Sequence, residues 1–454
     1  MKYYDYDTED MIAALATPWG ESAIAVIRTT GQGCIEALSA AFDAGKPLDK
    51  AAPYTMNYGI LKDPGSGKKI DEIIAGVYKK PRSYTGQDMV EIFCHGSMAG
   101  ITEILKMLRS VGFRDAKPGE FTLRAFLNGK MDLTRAEAVN EIIKSKSTKA
   151  MDLALQRLSG TVFNRIDLVK NMIAEILAEI ELQLDYAEDE ADPEAALDEE
   201  KIEKAVSLLK ELSATYRVGK IIQDGVSVVL AGKTNAGKSS LFNLFNKTER
   251  SIVSEHHGTT RDYIESFFLI GGIPVKLYDT AGLRDSDNPV EEQGIKKSIE
   301  IIEKSDIILY LIDGNIGLDN DDVSRISSFD PNKLIKIWNK ADIAFEKSHD
   351  DFISISALTG EGFKELEAEI KKRIGLEKIE ITDCVVIDSE RQKNLIEAAL
   401  ASLLSALTSI RENTPLDLIA VDIKEALDSL GEITGEITSS DILELMFSKF
   451  CVGK

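Results

Sequence analysis

Over residues 1–120, short apolar runs alternate with turn residues. The runs at 12–15, 23–28, 73–78 and 89–93 predict strands. The cluster Asp63-Pro64-Gly65-Ser66-Gly67 predicts a turn, and 101–109 has helical spacing. Together they predict a small α/β domain. From Thr134 the period lengthens. Thr134-Arg135-Ala136-Glu137 reads as a capping box with Leu133 placed as a hydrophobic staple. Val162, Ile166, Val169, Ile173, Ile176, Ile180 and Leu184 recur at spacings of four and three, the seam of a long amphipathic helix. A second helical block fills 385–454, with another box at Thr438-Ser439-Ser440-Asp441.

Neither helical half is large enough to hide its own apolar stripe. The simplest organisation is one helical domain, 121–217 and 377–454, interrupted by an inserted domain at 218–376. The acidic run 185–200 holds nine acids and no base and reads as a solvated loop between helices.

Composition narrows the class. The chain has 454 residues, room for about three domains, and 44% hydrophobic residues, enough for packed cores. Cys34, Cys94, Cys384 and Cys451 are too scattered for a zinc ribbon or a disulfide framework. With no signal peptide and no membrane-length apolar span, the expectation is a soluble cytoplasmic protein. A net charge of −22 argues against indiscriminate nucleic-acid binding. From Lys106 to Lys149, however, ten bases face five acids. That segment suits either a local RNA contact or a solvated mixed-charge face.

The inserted domain carries the chemistry. Gly232-Lys233-Thr234-Asn235-Ala236-Gly237-Lys238-Ser239 follows the apolar run 226–230 and opens into a helical pattern from Ser240. Strand, glycine loop and helix is the context a P-loop needs. The backbone from Asn235, Ala236 and Gly237 to Ser240 is placed to close around phosphates. Lys238 can reach the β/γ oxygens, and the Ser239 hydroxyl can ligand Mg²⁺. Gly65-Ser66-Gly67-Lys68-Lys69 has a Gly-Lys pair but lacks the first glycine and the Ser/Thr, and reads as a loop.

Asn339-Lys340-Ala341-Asp342 distinguishes guanine from adenine. Asp342 can accept from guanine N1–H and the 2-amino group, and a buried Asp342 facing adenine would be left unpaired. Ser356-Ala357-Leu358 fits the segment whose backbone N–H meets guanine O6. In Asp279-Thr280-Ala281-Gly282, Asp279 can hold a Mg²⁺ water and the Gly282 N–H can sense the γ-phosphate. Thr260, in Gly258-Thr259-Thr260, completes the Mg²⁺ shell. These motifs predict a Ras-like P-loop α/β GTPase domain. Leu283 occupies the position where Ras-like enzymes keep a water-orienting glutamine, and no arginine finger declares itself.

Several stretches resemble the MnmE (TrmE) family of tRNA-modification GTPases. They are the P-loop with Asn235, Gly258-Thr259-Thr260-Arg261-Asp262, Asp279 to Arg284, and the ending Phe450-Cys451-Val452-Gly453-Lys454. Ala16-Thr17-Pro18, Arg28 and the run from Lys117 to Lys130 match as well. The resemblance covers the whole chain. It implies a folate-binding-like N-terminal domain and a homodimer working with an FAD-dependent partner, MnmG. The pair would place an aminomethyl or carboxymethylaminomethyl group on C5 of the wobble uridine of certain tRNAs, from a tetrahydrofolate donor.

The resemblance also implies GTP hydrolysis activated when two GTPase domains meet around K⁺. Asn235 would give the ion a side-chain oxygen, and the loop from Ser254 through His256 to Thr259 would give more. Glu291 matches the family's catalytic glutamate, where the residues alone favour an exposed acid at a helix start. Arg28, Glu91, Lys130 and Lys454 match positions contacting 5-formyltetrahydrofolate. Cys451 stands open between a chemical role and packing. His256 and His257 read as positioning or exposed residues, and His95 as structural. A regulatory GTP switch timing ribosome or RNA assembly is the alternative. The folate-type segment and the Cys-x-Gly-Lys ending discriminate against it.

Overall fold

β1 (Ile12–Leu15) and β2 (Ser22–Thr30) form an antiparallel pair that widens into a seven-stranded sheet. The other strands are β3 (Phe42–Asp43), β4 (Thr55–Lys62), β5 (Lys69–Tyr78), β6 (Met89–Gly96) and β7 (Arg114–Asp115). Their order is β3-β4-β5-β6-β2-β1-β7, with only β1 and β7 parallel. The computed structural model describes residues 8–185, 197–247, 265–279, 300–344, 350–375 and 385–454.

One face of this sheet packs helices Cys34–Ser39 and Met98–Ser110 through Ile27, Leu38, Ile73, Ile92, Ile101 and Leu108. On the other face Ile12 and Ala14 pack on Phe121, while the β4–β5 end is open. Side chains alternate across a sheet, so residues paired across strands share a face. Tyr58, Ile74, Phe93 and Val26 form one row across β4-β5-β6-β2, and Met56, Gly76, Glu91 and Arg28 the next. Met56 is 58% exposed and Tyr58 67%. The loop with the Gly-Lys pair is the β4–β5 hairpin turn. There the Asp63 carboxylate accepts from Ser66 N at 2.7 Å.

The helical part completes itself across the chain. Helix Thr161–Asp185 packs on helix Leu416–Thr434. Its seam residues Val162, Ile166, Val169, Ile173, Ile176 and Ile180 are fully buried, whereas Leu184, in the last turn, is exposed. Two caps differ from the sequence reading. Asp132, not Thr134, caps helix Leu133–Lys144: its carboxylate accepts from Thr134 N at 2.9 Å and Arg135 N at 3.2 Å. Ser439, not Thr438, caps helix Ser440–Phe447. In the first case an acceptor upstream outcompetes the hydroxyl.

The inserted part is a six-stranded sheet in the order β13-β12-β11-β8-β10-β9. Its strands are β8 (Val226–Gly232), β9 (Glu265–Ile270), β10 (Ile273–Asp279), β11 (Ile307–Asp313), β12 (Leu334–Asn339) and β13 (Ile353–Ser354). All pairs are parallel except β9–β10. Near-continuous apolar runs such as Val226 to Leu230 suit strands buried on both faces. Helices Lys238–Lys247, Asn320–Ser328 and Phe363–Ile374 follow β8, β11 and β13. The chain divides into two compact units. One is Met1–Asn140, Gln156–Leu209 and Asn394–Lys454; the other is Glu141–Leu155 and Lys210–Lys393. Among the described residues no helix is long and apolar enough to cross a membrane.

Candidate functional site

β8 ends where backbone crowding demands glycine. Gly232 has φ 133°, and a Cβ there would lie 2.4 Å from the Leu311 carbonyl oxygen. At Gly237, with φ 94°, a Cβ would lie 2.0 Å from Asn339 Nδ2. Between them Asn235 adopts the left-handed region, φ 64°, a conformation asparagine tolerates. The loop thus curls tightly into helix Lys238–Lys247 and directs the N-terminal amides of that helix at one point, an anion site. Lys238 is buried, and its Nζ donates to the carbonyls of Gly232 (3.0 Å) and Lys233 (2.7 Å). Asn235, Ser239 and Ser240 are exposed, and Ala236 is buried beneath them.

Asn339, at the end of β12, is 1% exposed. Its Nδ2 donates to Ala236 O at 2.8 Å, and its Oδ1 accepts from Ala357 N at 3.0 Å. One side chain therefore joins the phosphate loop to the loop after β13. Lys340 has φ 65°, and its ammonium meets Asp313 Oδ2 at 2.6 Å. Asp342 is exposed rather than buried. Ser356 N donates to Glu361 O at 3.0 Å, so the amides of Ser356 and Ala357 are both used internally, and Leu358 lies outermost. β10 runs parallel to β8 with Asp279 opposite Leu230, which sets its backbone beside the loop's base. Ser254, His256, His257, Gly258, Thr259, Thr260, Thr280, Ala281, Gly282, Leu283 and Glu291 lie outside the described residues, as do Cys384 and most of the acidic run.

A second polar site forms on the face of the N-terminal sheet away from its two helices. Arg28 donates from Nε (3.0 Å) and a terminal nitrogen (2.8 Å) to Glu91 Oε1. Its other terminal nitrogen donates to Gly453 O at 3.1 Å. The guanidinium lies 5.5 Å from the Tyr84 ring centroid and 5.8 Å from that of Phe121. Tyr78 donates to Glu91 Oε2 at 3.2 Å. Burial, then the positive charge of Arg28, pushes the Lys454 ammonium below the ordinary lysine range. Arg28, Glu91 and Lys454 thus converge. Lys130 is held apart, with its ammonium on Pro81 O at 2.9 Å.

The tail is seated from behind. Gly119 N donates to Cys451 O at 3.3 Å, and a Cβ on Gly119 would lie 2.7 Å from Phe447 O. Cys451 is an exposed, unbridged thiol, while burial pushes the Cys94 thiol up to about 11 and Cys34 higher still. His95 is not structural in the packed sense: it is exposed, with Nδ1 2.7 Å from Asp71 Oδ1.

Comparison with known proteins places the whole chain. The family described as "MnmE helical domain" matches residues 133–451, and "GTP-binding protein TrmE N-terminus" matches 11–130. The chain is similar to the tRNA modification GTPase MnmE of Borreliella burgdorferi (strain ZS7), 43% identical over 462 residues and 99% of each chain. It is 41% identical over 461 residues to the protein of that name from Carboxydothermus hydrogenoformans, covering 98% of this chain and 100% of the other. A crystal structure of an Aquifex aeolicus Era variant bound to GDP.AlF4- is 22% identical over 39% of this chain and 67% of that one, at a TM-score of 0.28. The chain belongs to the MnmE family. As an MnmE-family member it is a GTP hydrolase built from an α/β N-terminal domain, a discontinuous helical domain and an inserted P-loop domain.

Sequence reasoning missed Tyr78, Tyr84 and Phe121 around Arg28. No local signal marks them, because strand pairing and tail docking bring them together. Tyr78 could have been found by pairing the predicted strands 73–78 and 89–93. The MnmE-family segment from Lys117 to Lys130 contains Phe121 but gives no hint of what it faces.

Proposed function

We propose that this protein is a tRNA-modifying GTPase. With an FAD-dependent partner of the MnmG type it installs an aminomethyl or carboxymethylaminomethyl group on C5 of a wobble uridine. The observation carrying the reading is the Arg28 guanidinium, which touches both Glu91 and the tail carbonyl of Gly453. A GTP switch alone has no use for that junction. The one-carbon unit comes from 5-formyltetrahydrofolate or a related reduced folate. The pocket's donors and acceptors suit such a ligand: Glu91 accepts from ring N–H groups, Tyr84 offers an aromatic face, and Lys454 and Arg28 attract anionic oxygen. Lys130 serves from the Pro81 loop, and Cys451 stands at the pocket's edge as the thiol available for chemistry.

Met56, Tyr58 and Ile74, exposed on the same sheet face as Arg28 and Glu91, support a homodimer through the N-terminal domains. We assign 1–120 to that domain, 121–217 and 377–454 to the helical domain, and 218–376 to the GTPase domain.

In GTP hydrolysis, the amides from Asn235, Ala236 and Gly237 to Ser240 cradle the phosphates and Lys238 meets the β/γ oxygens. Asn339 and Lys340 hold the base pocket's walls, Asp342 reads guanine N1–H and the 2-amino group, and the amide of Leu358 faces O6. Ser239 and Thr260 would hold Mg²⁺, while Asn235, Ser254, His256 and Thr259 would hold K⁺; both supply positive charge against the phosphates. Asp279 would hold a Mg²⁺ water and the Gly282 N–H would sense the γ-phosphate, with Thr280, Ala281 and Gly258 in the motifs that carry them. Glu291 orients water in place of the missing glutamine.

Mass analysis of wobble uridine in cells lacking the protein tests the whole reading. Loss of the C5 group is expected. Normal tRNA would leave a regulatory switch instead.

A further inference from the structure

We propose that Lys233, a variable position in the P-loop pattern, is a positioning residue for GTP hydrolysis, tying the loop to the N-terminus of helix Asn320–Ser328. Its ammonium meets the carboxylate of Asp319 and lies 3.1 Å from Asp322 Oδ2. The two acids form a reciprocal capping box on that helix. Asp322 is 3% exposed and also accepts from the Tyr310 hydroxyl at 2.9 Å. Burial and the Asp322 charge hold the Tyr310 phenol above its ordinary range, so it stays a donor.

The consequence lies in what Lys233 carries on its backbone. Lys238 Nζ rests on two carbonyls, those of Gly232 and Lys233. Gly232 is held by its pairing with Leu311 in the sheet. Lys233 has already left the strand; its carbonyl also accepts from Ala236 N at 3.4 Å, and its side chain adds a second anchor outside the loop. Tyr310 on β11 fixes Asp322, Asp322 and Asp319 fix Lys233, and the Lys233 carbonyl seats the ammonium that meets phosphate. Helix Asn320–Ser328 thereby sets the position of a group it never touches. Outer-shell partners of metal ligands commonly change affinity or activity by about 10–100-fold when lost, and this partly exposed tether to a phosphate-binding lysine is expected at the low end of that range.

The test uses the full-length protein with N-methylanthraniloyl-GDP as probe, and GTP turnover beside it. Lys233→Met weakens the probe by about tenfold and lowers kcat/KM by a similar factor. Lys233→Arg, which keeps the two carboxylate contacts, stays within about twofold. A merely structural role would lower the melting temperature without moving the affinity of the folded protein, and would overturn the proposal. So would wild-type affinity in Lys233→Met, or equal damage in Lys233→Arg. If Lys233→Met fails to fold, Asp319→Asn carries the test, because its carboxylate is half exposed. Severalfold weaker probe binding then supports the tether, and wild-type binding refutes it. The inference rests on GTPase chemistry alone and is independent of the folate and tRNA assignments.

Discussion

Asn339 Nδ2 donates to the carbonyl of Ala236 at 2.8 Å, across 103 positions of sequence. The same side chain receives Ala357 N, so a fully buried amide locks the phosphate loop against the base-side loop. The loop after β8 and the loop after β13 are therefore mechanically coupled through one side chain. Gly237 must be glycine for the same reason, since a Cβ would strike this amide.

Replacing Asn339 by alanine leaves Ala236 O and Ala357 N without their buried partner. Each such loss costs about 1–3 kcal/mol. We expect GTP affinity to fall by about tenfold or more and the GTPase domain to melt earlier. Nucleotide titration and thermal unfolding of the same preparation check both.

Asp342→Asn exchanges an acceptor for a donor at the position proposed to read guanine. Xanthine carries an oxygen where guanine carries the 2-amino group, so the variant should prefer XTP. We expect GTP use to drop by about a hundredfold or more, in line with sites that lose a required hydrogen bond. Competition between GTP and XTP measures the swap, and unchanged preference removes Asp342 from base recognition.

Arg28→Ala breaks the ion pair with Glu91 and the contact to the tail at Gly453. Glu91→Ala removes the acceptor itself. Charged hydrogen bonds of this kind contribute about 1.5–3 kcal/mol, so either variant should weaken reduced-folate binding by about tenfold or more. Equilibrium dialysis with 5-formyltetrahydrofolate decides it, and an undiminished affinity in both variants places the ligand elsewhere.

Glu120 makes the N-terminal domain acid-sensitive. Burial acts to raise its carboxyl, but hydrogen bonds from Arg114 and Lys117 N and the charges of Arg124 and Arg114 outweigh it. The net shift is downward from the ordinary value of 4.5. A carboxyl lowered on folding stabilises fully above its unfolded value and loses that stabilisation as pH falls through its folded value. Glu120→Gln should therefore be less stable by about 3 kcal/mol near neutrality, with the deficit shrinking below about pH 4.5. Denaturant midpoints of both proteins across that range show the convergence, and a constant gap would contradict it.

The parts legible in the sequence are those where chemistry fixes residue type. Gly232 and Gly237 stand where only glycine fits, Lys238 and Asn339 are buried at the loop, Asp342 is exposed rather than buried, and the seam from Val162 to Ile180 is buried as its period demands. Misreadings come from competition or long range. Asp132 displaces Thr134 as a cap because the helix starts earlier and its carboxylate takes the amides of Thr134 and Arg135 and the Thr134 hydroxyl. β4 leaves no clear signal because Met56 and Tyr58 point away from the core and blur the alternation. Lys233 reads only as backbone, since its partner Asp319 lies 86 residues on.

GTP hydrolysis per protomer, measured against protein concentration in K⁺ and in Na⁺, tests the account most directly. A monovalent cation, gripped beside Asn235 between two GTPase domains, is proposed to take the place of an arginine finger. The rate should climb with concentration in K⁺ and stay low and flat in Na⁺. One rate for every concentration and either cation would contradict the account.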